Sequence, residues 1–193
     1  MTITFATGNH GKFATLQRYA REHGLDPARF TQQNLDIIEP QADTATEVAR
    51  VKAREAFRQL GHPVVVDDSS FHITALGGFP GPYIKYMIST IGADGILAFM
   101  KDHADRSAYF LSTLVYIDET GTEHVFEDEP YRGSIAPAAI EQNSATAWSD
   151  LHRLFIPDGT TKVLAQLTDD ERAVLHAGKQ DAYASFCTWL AQQ

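Results

Sequence analysis

Ile3-Thr4-Phe5-Ala6-Thr7-Gly8-Asn9-His10-Gly11-Lys12 is the stretch that decides the fold class. Ile3 to Thr7 is a short apolar run of the kind that forms a buried strand, and Gly8 and Gly11 turn the chain at its end. Helical spacing follows from about Lys12 to His23 and stops at Gly24. The chain therefore opens as strand, glycine turn, helix, the first unit of an α/β fold. Unpaired amides at the start of such a helix face an anion, so this turn, with Lys12 behind it, is a candidate phosphate site. An ordinary βα turn that binds nothing reads equally well from the segment alone. It is not a Walker-type loop, because only two residues separate Gly8 from Gly11 and Phe13 replaces the magnesium-binding Ser or Thr.

Outward from this opening, Ala49, Ala53, Ala56, Phe57 and Leu60 lie on one face of a second helix over 44–60, with Gly61 and Pro63 as its stop. Val64-Val65-Val66-Asp67-Asp68 follows, too apolar for an edge strand and thus a central one, with two acids at its end. Neighbouring side chains of a strand point to opposite faces, so one Asp faces a crevice while the other supports it. Two adjacent carboxylates suit a hard cation such as Mg²⁺. A strand-end turn capped by Ser69 and Ser70 is the other reading. Lys52 borders the apolar stripe of the second helix and leans toward a cleft or toward solvent, and Glu39 lies in a loop with no packing role.

The segment 77–82 packs three glycines and two prolines into six residues, so it reads as a rigid loop that is neither helix nor paired strand. Helical patterning resumes through Met87 and again from Ile96 to Met100. Ser107 to Ile117 alternates as a long strand, and Gly121-Thr122, Glu123 to Glu129 and Tyr131 to Ala136 complete an antiparallel meander. Residues 137–150 read as loop, Leu154 to Ile156 as a short strand, and Asp170 to Leu190 as a C-terminal helix broken at Gly178.

The 193 residues, 44% of them hydrophobic, suit one domain over 1–193 with a real core. A net charge of −9 argues against a nucleic-acid binder. Residues 1–100 hold nine Lys/Arg against ten Asp/Glu, while the remainder holds seven against fifteen, which places a cationic site in the first half. Cys187 is the only cysteine, so an intramolecular disulfide and a cysteine-built zinc site are both excluded, and a reducing cytoplasm is expected. The first Lys or Arg is Lys12 and no apolar run approaches the length of a membrane span, so neither export nor membrane insertion is expected. The eight histidines form no metal-binding spacing, and no Gly-x-Ser-x-Gly elbow supports a serine hydrolase.

Taken in order, Thr7-Gly8-Asn9-x-x-Lys12, Glu39, Glu47 with Lys52-Ala53-Arg54-Glu55-Ala56, Val66-Asp67-Asp68-Ser69 and Leu76-Gly77-Gly78-Phe79-Pro80-Gly81-Pro82-Tyr83-Ile84-Lys85 resemble the inosine triphosphate pyrophosphatase family. The similarity is clear over 3–118 and fainter through Gly133-Ser134-Ile135 and Phe155-x-Pro157-Asp158-Gly159. The resemblance implies a long twisted mixed β-sheet flanked by helices, with a nucleotide groove between two lobes. It also implies a Mg²⁺-dependent homodimer that hydrolyses deaminated purine nucleoside triphosphates to monophosphate and pyrophosphate. By position, Thr7, Gly8, Asn9, Lys12, Lys52 and Ser69 would bind the substrate, and Glu39 and Asp68 the metal. Asp68, with Asp67 and Lys52, would form the catalytic set, Asp68 activating the attacking water. A catalytically silent nucleotide-binding protein on the same fold is the alternative.

The base-reading half departs from the family. Where its members carry Phe-Gly-Trp/Tyr-Asp-Pro, this chain has Ser149-Asp150-Leu151-His152-Arg153, with Trp148 next door as a stacking candidate. The family's Ser-His-Arg is Leu175-His176-Ala177, which keeps His176 and loses the arginine, and Arg172 stands in place of a lysine. Discrimination among bases is therefore expected to be weakened or redirected.

Overall fold

A computed structural model describes residues 2–141 and 149–193, so Trp148 lies outside the described residues. The opening strand β1 (Ile3–Ala6) and helix α1 (His10–Glu22) form as the sequence dictates, with Asn9 capping the helix and Gly24 beyond its end at φ +75°. α2 (Ala45–Leu60) starts at a capping box, in which Thr44 and Glu47 satisfy each other's amides, and closes on Gly61 at φ +68°. The remaining strands are β2 (Phe30–Gln33), β3 (Val64–Ile73), β4 (Pro80–Gly81), β5 (Ser107–Ile117), β6 (Glu123–Glu127), β7 (Tyr131–Ile135) and β8 (Phe155–Pro157). The sheet is mixed, in the order β2-β1-β3-β5-β7-β8, with β4 paired to β3 and β6 to β5.

The chain divides into two compact units. The first comprises Met1–Ser69, Ser112–Glu129 and Gln180–Gln193. In it β1 runs parallel to both β2 and β3, with Ile3 opposite Phe30 and Thr4 opposite Val64. Side-chain alternation sends Val65 to one face, where it meets Leu16 and Ala20 of α1 and Ala182, Tyr183 and Phe186 of α5 (Ala182–Leu190). Val64 and Val66 go to the other face, against Ala49, Ala53 and Ala56 of α2. Small alanines on that stripe let the helix approach the sheet closely, and each fully buried Val or Phe contributes about 1.5–3 kcal/mol.

The second unit comprises Ser70–Leu111 and Pro130–Lys179. β7 pairs antiparallel with the first half of β5, and β8 with β7. Its core is aromatic: the Phe71 and Phe110 ring centroids are 4.5 Å apart, and Phe155 meets both edge-on. Gly133 is required where the strands meet, because a Cβ there would fall 2.2 Å from the Ile156 carbonyl oxygen. Helix α3 (Ile84–Phe99) breaks at Gly92 (φ 62°, ψ −165°), between the two helical segments read from sequence. α4 (Asp169–His176) completes the unit.

Three local expectations are corrected. Asp67 and Asp68 are inside a ten-residue strand and not at its end, because Ser69 to His72 continue the alternation and their polar groups find partners. Pro80 and Gly81, read as unpaired, form β4 opposite His72 and Phe71, at an edge where a missing proline N–H is tolerated. There is no meander: β5 has eleven residues, so β6 pairs with Thr113–Ile117 while β7 pairs with Ser107–Phe110. The break expected at Gly178 is present: the C-terminal segment forms two helices, separated around Gly178 at φ +74°. Among the described residues no helix is long and apolar enough to cross a membrane.

Candidate active site

The turn between β1 and α1 is built on its own polar side chains. The Asn9 Oδ1 accepts the Lys12 N–H at 3.1 Å, and the Thr7 Oγ1 accepts the Asn9 N–H at 3.1 Å. The Asn34 side chain lies over Gly8, its Oδ1 2.9 Å from where a Cβ would stand, so a larger residue there would displace Asn34. Gln32 of β2 donates from Nε2 to the Thr7 carbonyl at 3.0 Å, and its Oε1 meets the His10 Nδ1 at 2.9 Å. Gln32 and Asn34 thus buttress the loop. Nothing in their sequence context marked them, because the parallel pairing of β2 with β1 brings them there.

Alternation along β3 then decides the rest. Asp67 shares its face with Val65, on the side of α1 and α5, and receives Lys12 Nζ on Oδ1 at 3.0 Å. Asp68 shares its face with Val66, on the side of α2, and receives Lys52 Nζ on Oδ2 at 2.9 Å. Each helix supplies one lysine to one of two adjacent carboxylates. Ser69 joins them: its Oγ meets Lys12 Nζ at 3.2 Å, Asp67 Oδ1 at 3.3 Å and the Ser112 Oγ at 3.1 Å. Its N–H donates to Asp68 Oδ1 at 2.9 Å. The second Asp67 oxygen accepts the hydroxyl of Tyr183, a residue the sequence reading did not find.

Lys52 Nζ also donates to Glu39 Oε1 at 2.9 Å, so Glu39 and Asp68 converge on one ammonium. Burial opposes the charge on Lys52, but Asp68 and Glu39 together carry its pKa above the ordinary lysine value. Burial pushes the Asp68 carboxyl up, against the pull of Lys52 and Lys12. Two hard oxygen donors already sharing a monovalent cation suit a divalent ion that takes one or two carboxylates and completes its shell with water and phosphate, as Mg²⁺ does. Among the described residues no group of three or more His, Cys, Asp or Glu lies together as a metal cage.

Thr7, Gly8, Asn9, Lys12, Glu39, Lys52, Asp67, Asp68 and Ser69 all belong to the first unit. Arg172 and His176 belong to the second, where Arg172 Nη2 donates to the Leu164 carbonyl at 3.0 Å and His176 stacks on Tyr131 at 4.4 Å. Lys179 Nζ lies 4.8 Å from the same Tyr131 ring. The Tyr131 hydroxyl and the Arg172 Nε are buried with no hydrogen-bond partner, a state that is costly until water or a ligand satisfies it. Tyr131 carried no sequence signal, being read only as the start of a strand.

A helix-capping turn with a lysine behind it, and two carboxylates sharing one ammonium beside it, make an α/β site of a kind that can hold phosphate and a cation. A profile of the Ham1 family matches residues 3–189, and the chain belongs to that family, as its resemblance to the inosine triphosphate pyrophosphatases implies. It is 34% identical over 189 residues to a protein of Methanopyrus kandleri named dITP/XTP pyrophosphatase, covering 98% of this chain and 96% of that one. Among solved structures, a HAM1 protein from Coxiella burnetii superposes with a TM-score of 0.83 at 25% identity, covering the whole of both chains. A nucleoside-triphosphatase / dITP/XTP pyrophosphatase from Mycobacterium abscessus superposes with a TM-score of 0.73 at 28% identity, covering 92% of this chain and 95% of that one.

Proposed function

We propose that this chain is a Mg²⁺-dependent nucleoside triphosphate pyrophosphatase. It cleaves the bond between the α and β phosphates of deaminated or otherwise modified nucleotides, releasing monophosphate and pyrophosphate. The observation that carries this reading is the pairing of Lys12 with Asp67 and of Lys52 with Asp68 and Glu39, beside the capped turn at Gly8. Phosphate oxygens accept from Lys12, Lys52 and the amides at the start of α1, which stabilises the charge that develops on the transferred group. Glu39 and Asp68 would hold the magnesium, which supplies charge neutralisation at the phosphates when bound. Asp68, pushed up by burial and held by the Ser69 N–H, orients the attacking water and takes up its proton. Asp67, with both oxygens engaged, serves the site through Lys12.

The reading makes the protein a cytoplasmic homodimer. Exposed Phe79, Tyr83 and Tyr86 around the start of α3 support a partner surface, and the lone Cys187 is buried as a reduced thiol. The test is pyrophosphate release from ITP, XTP, GTP, ATP and the pyrimidine triphosphates, with and without Mg²⁺. Turnover that needs Mg²⁺ is expected on at least the deaminated purines. Binding without turnover on any of them would identify a silent nucleotide binder instead.

A further inference from the structure

Tyr183 lies in the first turn of α5, far along the chain from the glycine turn, yet its hydroxyl ends on Asp67 Oδ2. Asp67 Oδ1 carries Lys12 Nζ at 3.0 Å and the Ser69 hydroxyl at 3.3 Å, so a carboxylate whose side chain is 2% exposed has the phenol as the sole partner of its second oxygen among the described residues. We propose that Tyr183 is a positioning residue of the phosphate site, fixing through Asp67 where Lys12 presents its charge. The inference rests on the reading of Lys12 as a phosphate ligand.

The phenol has little freedom to be elsewhere. Its ring stacks on Tyr19 at 5.8 Å and 17°, and meets the edge of Phe5 at 6.5 Å. Tyr19 in turn donates its hydroxyl to Asp181 Oδ2 at 2.5 Å, and Asp181 Oδ1 caps α5 by accepting the Ala184 N–H at 3.0 Å. Asp128 Oδ1 accepts the Ala182 N–H at 2.6 Å. Helix α5 is thus pinned on both sides of Tyr183, and burial beside Asp67 keeps the phenol protonated and donating. Lys12 is the mobile member, partly exposed on a flexible stem, and it reaches the place set by the carboxylate only while that carboxylate is held. A bond that merely fastened α5 to the sheet would leave ligand affinity untouched once the chain had folded.

The experiment is a double-mutant cycle on the full chain, reading the affinity for inorganic tripolyphosphate by calorimetry in EDTA, so that neither metal nor turnover contributes. Tyr183→Phe keeps the ring packing and removes only the donor. It should weaken binding by about five- to tenfold in the native background and by less than about twofold in Lys12→Ala. Asp67→Asn, which keeps the side chain's shape, should behave in the same way and provides the second measurement if Tyr183→Phe folds poorly. An equal loss in both backgrounds, or no loss in either, overturns the proposal while leaving the phosphate site standing. If Lys12→Ala itself binds tripolyphosphate as tightly as the native chain, the phosphate-site reading fails and this inference with it.

Discussion

Lys12 and Lys52 carry the same charge into different surroundings. Lys12 keeps 29% of its side chain exposed, whereas Lys52 keeps 16% and bridges Asp68 and Glu39. Each is expected to give one charged hydrogen bond to phosphate, so Lys12→Ala and Lys52→Ala should each raise KM by the equivalent of roughly 1.5–3 kcal/mol. Lys52→Ala should lower Tm more than Lys12→Ala, because it takes the ammonium from the partly buried Asp68 and leaves it the Ser69 N–H, while Asp67 retains Tyr183 and Ser69 after Lys12→Ala. Equal melting temperatures for the two variants would contradict this division. Ala177 is the other telling residue. With no arginine there, and with Arg172 engaged on the Leu164 carbonyl, kcat/KM for XTP should exceed that for GTP by less than about a hundredfold, since strong rejection needs polar groups left unpaired by the wrong base. A preference of about 10⁴ or more would show that other residues read the base.

At the scale of elements, the joint of β6 with α5 carries a titratable load. Burial raises the Asp128 carboxyl to about 7, the Ala182 N–H opposes this, and Asp181 and Asp67 push in the same direction as burial. A folded pKa above the unfolded one means that the protonated carboxyl favours the folded state. That contribution is complete below about pH 4 and is lost as pH rises through about 7, by of order 3–4 kcal/mol. Asp128→Asn keeps an acceptor for Ala182 and removes the titration, so its Tm should fall less than the native protein's between pH 5 and pH 8. Parallel Tm profiles would place the pH sensitivity elsewhere.

Elements defined by local chemistry were legible in the chain: β1 and α1 from the glycine turn, α2 from Thr44 and Gly61, and β5 from alternation over 107–117. Those defined by long-range pairing were not. No local pattern says that β7 skips β6 to join β5, or that β2 carries Gln32 and Asn34 to the glycine turn. The opposed directions of Asp67 and Asp68 are readable from strand alternation, but what meets them is not: the pairing of Lys12 with Asp67 and of Lys52 with Asp68 comes from how α1 and α2 pack on β3. Tyr183 sits in an ordinary apolar helix stripe, where a phenol is indistinguishable from a core aromatic until α5 is docked.

For the whole molecule, charge and surface say what sequence patterning could only outline. Lys12 and Lys52, the cations proposed to meet phosphate, both lie in the first unit, each paired there with carboxylates. In the second unit Tyr86 is 72% exposed, and Phe79 and Tyr83 are exposed as well, a surface that the proposed second copy would cover. Light scattering at micromolar concentration should give a mass near twice 21.3 kDa, and Tyr86→Asp should shift it toward one chain. A native mass of one chain would refute the dimer. The central claim, that paired carboxylates on β3 perform phosphoryl chemistry, is tested most directly by pyrophosphate release from Asp68→Asn with saturating Mg²⁺ and ITP. The account predicts a loss of kcat of at least about a hundredfold, since the substitution removes both a metal ligand and the group that receives the water's proton. Near-native kcat in that variant would contradict it, leaving Asp67 and Asp68 as polar residues that serve the strand and not the reaction.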